Sequence, residues 1–372
     1  MTKCLRQGYT LLRTTALCVV TGGTLSACQP PAHPGIHPLM FVQQGPNGQT
    51  GFVPPPYPFD IVAETGLPAR CINHVLAADL LSRNGSPTVP VGINGEEGAG
   101  FLSPSEDMIG VFDGNDDNLD LPDLQQIGSQ TISGVQNTWT TRIRQLVFAQ
   151  GHAEKVDGIK LGETTGESSR VAMSAIAVLG FDMLGNYNVL LNIPARRATF
   201  FMETHAAGCP PLSTAVGGHA FRAPLLTGRT GVDNLVSVTL DGAAIGMHLE
   251  PGSNLSVISE QDALADGLTR AALDEGDRVN TLNGSTLVGY RHTYRQVDIG
   301  NWHGANFPVS IEPANYNLLG RDFFRHRKVL MAFPTAMMFF SGALDDTGAK
   351  DVGPGNLSPI ASHVAHATAS QH

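Results

Sequence analysis

The chain predicts an all-β protein built from two copies of one unit, with only short helices, and three observations carry that prediction. Charged residues make up 15% of the 372, while Gly numbers 42 and Pro 24, a composition that favours many turns and strands over long helices. Runs such as "TYRQVDIG" and "ATFFM" approach the side-chain alternation of a strand with one buried face. Finally, "VLGFDMLGNYNVLLNIPARRATFF" (Val178 to Phe201) overlies "LLGRDFFRHRKVLMAFPTAMMFFS" (Leu318 to Ser341) at a constant shift of 140. That shift matches Gly180 with Gly320, Asp182 with Asp322, Val189 with Val329, Pro194 with Pro334 and Phe200 with Phe340.

The N-terminus reads as a targeting segment over residues 1–27. Lys3, Arg6 and Arg13 supply a positive region, "ALCVVTGGTL" a short apolar stretch, and "LSAC" a run of small residues ending on Cys28. This resembles a bacterial lipoprotein signal, which implies a lipid on Cys28, attachment to the membrane through it, and residence on the periplasmic side of the cell envelope. Gln29 in place of an Asp favours the outer membrane. The alternative is an ordinary secretory signal followed by an incidental cysteine; the apolar stretch is too short and too interrupted for a membrane-spanning helix. Removing residues 1–27 takes away three cations and no acid, moving the formal charge from -10 to -13. With no basic patch to neutralise phosphates, nucleic acid is not an expected partner.

Cys4 and Cys18 leave with the signal and Cys28 would carry lipid, so Cys71 and Cys209 remain. In an oxidising compartment such a pair predicts a disulfide. Residues 28–68, rich in Pro, Gly and Gln, read as a tether. The two units then occupy 69–210 and 211–345, and a tail of unstructured composition follows over 346–372. Its His363, His366 and His372 read as solvated residues rather than metal ligands.

The repeat extends upstream. "GFLSPSEDMIGVF" (Gly100 to Phe112) lies over "MHLEPGSNLSVIS" (Met247 to Ser259) at a shift of 147, placing Ser103 on Glu250, Pro104 on Pro251 and Ser105 on Gly252. Each is preceded by a strand and a Gly-containing turn, "TVPVGINGEEG" and "LVSVTLDGAAIG". In the second copy, Ser259 with Asp262 three residues on has the form of a capping box opening a short helix, "EQDALADGL".

These paired elements resemble the pepsin-like and retropepsin-like aspartic peptidases, in which each lobe carries a strand into Asp-Thr-Gly-Ala/Ser, a flap hairpin, and a later apolar-apolar-Gly element beside the active-site turn. "LEPGS" with "NLSVIS" corresponds to the first element of the second lobe, and "NLLGRDFF" and "AVLGFDML" to the apolar-apolar-Gly element of the second and first. The resemblance covers roughly 87–201 and 234–341. It implies a two-lobe, duplicated β-barrel architecture, and a cleft formed by Ser103, Pro104 and Ser105 from one lobe, Glu250, Pro251, Gly252 and Ser253 from the other, and Gly180 and Gly320 behind them.

The departures fall on the reacting positions. An aspartic peptidase needs two carboxylates sharing one proton, one acting as base on a water while the other donates to the carbonyl. Here the two positions are Ser103 and Glu250. A serine hydroxyl carries no charge at working pH. The extra methylene of Glu250 displaces its carboxylate by roughly 1 Å, on the order of a hundredfold for a positioned group. Losing one member of the pair removes roughly a further 10² to 10⁴. Glu106 and Asp107 follow the first turn and read as rim acids in solvent rather than as a replacement. "DGNDDNLDLPD" (Asp113 to Asp123) lacks the Gly and the closing Glu of a calcium loop, and no Gly-x-Ser-x-Gly or His-Glu-x-x-His motif is present. Trp139 and Trp302 read as packing or cleft-rim residues. No cofactor or metal is expected. The leading expectation is a pseudo-peptidase whose cleft binds an extended peptide or an envelope protein. The alternatives are an active endopeptidase with a centre based on Glu250, and a structural envelope module with a vestigial cleft.

Overall fold

The hairpins that open the two units show how local sequence sets the architecture. Asn94-Gly95 joins strands Thr88–Ile93 and Glu96–Leu102, and Asp241-Gly242 joins Leu235–Leu240 and Ala243–Leu249. All four turn residues have positive φ (54°, 100°, 46° and 96°), the conformation of a two-residue primed turn that Asn, Asp and Gly adopt at least cost. Within Leu235–Leu240, Val236, Val238 and Leu240 are buried and the residues between them are not, so period-two alternation aims one face at the core.

In this computed structural model the described residues are 42–43, 60–82, 86–113, 119–131, 134–149, 151–161, 174–228, 231, 233–253, 255–274, 278–280, 288–344 and 362–364. The signal segment and Cys28 lie outside them. The described residues belong to one compact unit, His33–His372. Among them no helix is long and apolar enough to cross a membrane.

Each lobe is a closed six-stranded barrel with the same pairing order. In the first, Thr88–Ile93 pairs with Glu96–Leu102, which runs parallel to Ala175–Leu179. The ladder continues through Gly110–Val111, Gly151–Lys160 and Gly134–Phe148, which returns to Thr88–Ile93. The second lobe repeats the circuit through Leu235–Leu240, Ala243–Leu249, Leu318–Leu319, Ser256–Ser259, Trp302–Glu312 and Val288–Ile299. Closure leaves each barrel without a free edge.

A third sheet joins the lobes, in the order Ile72–Asp79, Arg197–Glu203, Asn188–Asn192, Lys328–Ala332, Met337–Phe340 and Phe221–Leu226. Its two middle strands come one from each lobe, and Leu190 lies directly opposite Leu330, the residue 140 positions on. The repeat of the sequence is therefore an approximate two-fold axis through that pair. Phe181 meets Phe333 edge to face at 5.1 Å, so apolar packing also crosses between lobes.

Cys71 and Cys209 form a disulfide, with Cα atoms 5.7 Å apart, that ties the two ends of the first lobe. The Ser259 hydroxyl caps the helix Glu260–Ala265 by accepting from the Asp262 amide. Two short strands come from outside the barrels. Val42–Gln43 lies against Gly151 and His152, and Ser362–Val364 lies against Ser129–Thr131.

Candidate functional site

The site forms where the two equivalent turns meet on the approximate axis. In the first lobe the Ser103 amide donates to the Leu179 carbonyl at 3.1 Å, and in the second the Glu250 amide donates to Leu319 at 3.0 Å. The turns close alike: Glu106 N donates to Ser103 O and Ser253 N to Glu250 O, both at 3.1 Å. Behind them pass Gly180 and Gly320, with nearly identical backbone angles. A Cβ on Gly180 would stand 2.4 Å from the Met108 carbonyl oxygen, and one on Gly320 2.3 Å from the Leu255 carbonyl. Close approach of backbone to backbone, rather than an unusual φ, is what requires glycine there.

The side chains at the turns are unlike. Ser103, Ser105 and Glu250 are wholly buried. The Ser103 hydroxyl donates to Glu250 Oε2, and the Ser105 hydroxyl donates to the same oxygen at 2.5 Å; the two hydroxyl oxygens lie 3.4 Å apart. The other carboxylate oxygen, Oε1, accepts from the Gly252 amide at 2.8 Å. The pair is complementary in length: the short Ser103 side chain on one lobe faces the longer Glu250 on the other, and the two meet across the junction. Burial raises the Glu250 carboxyl to about 7, against the opposing pull of the two hydroxyls and the Gly252 amide.

Each lobe also sends a polar side chain across to the other lobe's turn. Ser86 Oγ donates to Gly252 O at 2.6 Å, and Asn234 Nδ2 donates to Pro104 O at 2.8 Å. Asn234 is itself held through Oδ1 by His248 Nδ1, 3.0 Å away, and the His248 ring meets Tyr316 edge on. The Tyr316 phenol is pushed well above its usual range by burial and by the carboxylates of Glu106, Glu250 and Asp107. Pro104 and Pro251 have neither an amide hydrogen nor a hydroxyl to offer. The reciprocal ties, from Ser86 to the Gly252 carbonyl and from Asn234 to the Pro104 carbonyl, fasten the lobes together at the two turns.

Ser103, Pro104, Ser105, Glu250, Pro251, Gly252, Ser253, Gly180 and Gly320 thus converge on one junction, while Cys71 and Cys209 pair away from it. The reading of Glu106 and Asp107 as solvated rim acids is corrected: they are 0% and 3% exposed. Their backbone carbonyls accept from the Phe181 and Asp182 amides, which draws the segment under the glycine strand. Ser86, Asn234, His248 and Tyr316 were not anticipated. The only signal for the first two was a small polar residue just ahead of the opening strand in each copy. Among the described residues, no group of three His, Cys, Asp or Glu side chains is placed to hold a metal ion.

Comparison with known proteins agrees with this geometry in the second lobe, where the family model described as aspartyl protease matches residues 236–323. The fold is aspartic-peptidase-like and all-β. Among solved structures, a retropepsin-like aspartic protease from Rickettsia conorii is 14% identical, aligning 33% of this chain with 91% of its own at a TM-score of 0.27. An aspartic proteinase from Irpex lacteus is 10% identical, aligning 74% of this chain with 100% of its own at 0.45. No curated protein matches the chain in sequence.

Proposed function

We propose that this protein is a catalytically silent, peptidase-like module, held on the periplasmic side of the cell envelope through a lipid on Cys28, whose cleft seats an extended peptide or an envelope protein. One observation carries the loss of chemistry. The two turn positions supply one carboxylate instead of two, and Glu250 Oε2 is taken by the hydroxyls of Ser103 and Ser105. Water activation by a pair requires an ionised carboxylate and a protonated one at the same moment. Glu250 alone can be either, in proportions set by a value of about 7, but not both. The hydroxyls that face it are donors of ordinary alcohol acidity and cannot take the second role.

The binding half of the proposal is supported by what was kept. Both barrels, the close-packed glycines behind both turns and the reciprocal ties between the turns are present, which supports reading the scaffold as a frame for a binding cleft. The test is digestion of an unbiased peptide library at pH 4 and pH 7 by the natural protein and by Glu250→Ala. Neither is expected to cleave. Cleavage by the natural protein that disappears in Glu250→Ala would overturn the proposal. Release of Cys28→Ala from membrane fractions tests the anchor, and unchanged attachment would count against it.

A further inference from the structure

The flap hairpin of the first lobe, Gln126–Thr131 paired with Gly134–Trp139, has one edge outside the barrel, and the chain places its own C-terminal segment there. Ser362–Val364 runs antiparallel to the flap strand, with Ser362 opposite Thr131, His363 opposite Gln130 and Val364 opposite Ser129. The same hairpin reaches the second lobe, where Asn315 Nδ2 donates to Thr131 O at 3.1 Å.

Beneath the hairpin lies a cavity of about 410 Å³, lined among others by Ser129, Thr131, Gln136 and Thr138 from the hairpin and by Asp113, Asp123 and Lys160 from below. Lys160 bridges the two acids at 3.2 and 2.5 Å. Ser129 is 3% exposed and its hydroxyl has no hydrogen-bond partner among the described residues. A polar pocket with an unsatisfied buried hydroxyl, under a strand edge that already carries one added strand, has the layout of a site for an extended segment. Main-chain bonds would give affinity there and alternate side chains fit.

We infer that the C-terminal tail is a cis ligand of the flap: Ser362–Val364 adds to the edge of Gln126–Thr131 and must leave before an extended partner can pair there. This rests on the reading of the cleft as a seat for an extended segment. The connection, residues 345–361, is short enough to hold the tail at a local concentration on the order of millimolar. A free peptide competing for that edge is therefore disadvantaged by the tether alone.

The experiment uses the full chain in two forms. In the first, Gln130→Cys is combined with His363→Cys, which lie directly opposite at a spacing that a disulfide can bridge. A control combines Gln130→Cys with His366→Cys, and both are oxidised mildly and mapped by mass spectrometry. The first pair is expected to close within one chain and the control to lag at least tenfold. Equal closure, or none, overturns the inference.

In the second, prolines at both His363 and Val364 remove whichever amide faces the flap strand. Binding of a synthetic peptide of residues 359–367 is then compared with the natural chain. The proline form is expected to bind it at least tenfold more tightly. Equal binding would reduce the tail to a structural strand and overturn the cis-ligand claim. Peptide cleavage dependent on Glu250 would sink the proposed function while leaving the cross-link intact, and a missing cross-link would leave the cleavage assays unchanged.

Discussion

Ser103-Pro104-Ser105 hangs from the carbonyl of Leu179 and Glu250-Pro251-Gly252 from that of Leu319, at 3.1 and 3.0 Å, and each turn closes through a 3.1 Å bond from the residue three places on. The backbones are copies, yet one turn presents two hydroxyls and the other a carboxylate. Turn geometry depends on main-chain bonds and on the glycine strand behind, where a single Cβ would collide with a carbonyl. Those demands are indifferent to what the side chain does at the junction. Scaffold and chemistry are thus held by separate sets of residues, and the second set can change while the first stays.

The largest effect expected from that separation is a gain. Replacing Ser103→Asp together with Glu250→Asp would place two carboxylates of matched length at the turns on an unchanged backbone. Acid-optimal cleavage of a peptide library should rise at least about a hundredfold over the natural protein, the low end of what an acid and base pair contributes. Either replacement alone should stay silent. A double variant that folds, by circular dichroism, but does not cleave would show that two matched carboxylates on these turns are not enough for cleavage.

The lobes also differ in cross-linking. Only the first is closed by a disulfide, over a separation of 138 residues. Cys71→Ser with Cys209→Ser should cost about 3 to 5 kcal/mol by loop entropy. Hydrogen exchange should show the loss concentrated in Ile72–Asp79 and Arg197–Glu203, with the second barrel spared.

A smaller effect separates the buried aspartates behind the turns. Burial raises Asp182 to about 7 and Asp322 to about 6, against an unfolded value near 4. A carboxyl with a raised folded pKa holds its proton more tightly when folded. Its contribution is therefore fully present below about pH 4 and is lost as pH rises through 6 to 7. The Tm contribution of these groups should fall from pH 5 to pH 8, and Asp322→Asn should flatten that fall. Asp322 Oδ1 accepts from Ser256 Oγ, and the Ser256 and Phe323 amides also draw on its carboxylate, so Asp322→Asn should flatten the fall at some loss of stability. Asp182 accepts from the Ile109 and Met183 amides through its two oxygens. Asp182→Asn would turn an NH2 toward one of them, flattening the profile at a net loss of stability. A pH profile unchanged in Asp322→Asn would remove that residue from the account.

The smallest expected effect compares the two ties across the junction. Ser86→Ala and Asn234→Ala should each cost about 1 to 3 kcal/mol, because each leaves a buried carbonyl without its donor. Asn234→Ala should cost more, since it also removes the contact with His248 Nδ1. Chemical denaturation of the two variants side by side would rank them.

Much of this was legible in the sequence because duplication writes itself twice. Gly180 and Gly320 announced the close approach behind each turn, and the Ser103 and Glu250 positions followed from the constant shift upstream. Ser259 and Asp262 announced a capped helix through a purely local signal, and the cysteines left after the signal segment, read for an oxidising compartment, pointed to Cys71 with Cys209. What escaped notice depends on contacts between distant parts of the chain. Ser86 and Asn234 resemble any polar residue before a strand until the opposing turn is brought to them. Glu106 and Asp107 looked solvated because two adjacent acids are most cheaply left in water, and only the crossing of Phe181 and Asp182 over their carbonyls draws them inside. The meeting of two hydroxyls on one oxygen of Glu250 needed both lobes in place.

The disulfide has a mechanical consequence as well. Once Val42–Gln43 and Ser362–Val364 have been stripped from the first lobe, tension applied between the two chain ends enters at Cys71, crosses to Cys209 through sulfur and bypasses everything from 72 to 208. The load then falls on Phe221–Leu226 and Met337–Phe340, adjacent antiparallel strands in which Phe221 lies opposite Phe340. Both pulled ends leave from the same end of that ribbon. Force would therefore peel it open bond by bond instead of shearing all its bonds at once. The Phe221 and Phe340 rings, 5.6 Å apart, form the clasp at the point where peeling must begin.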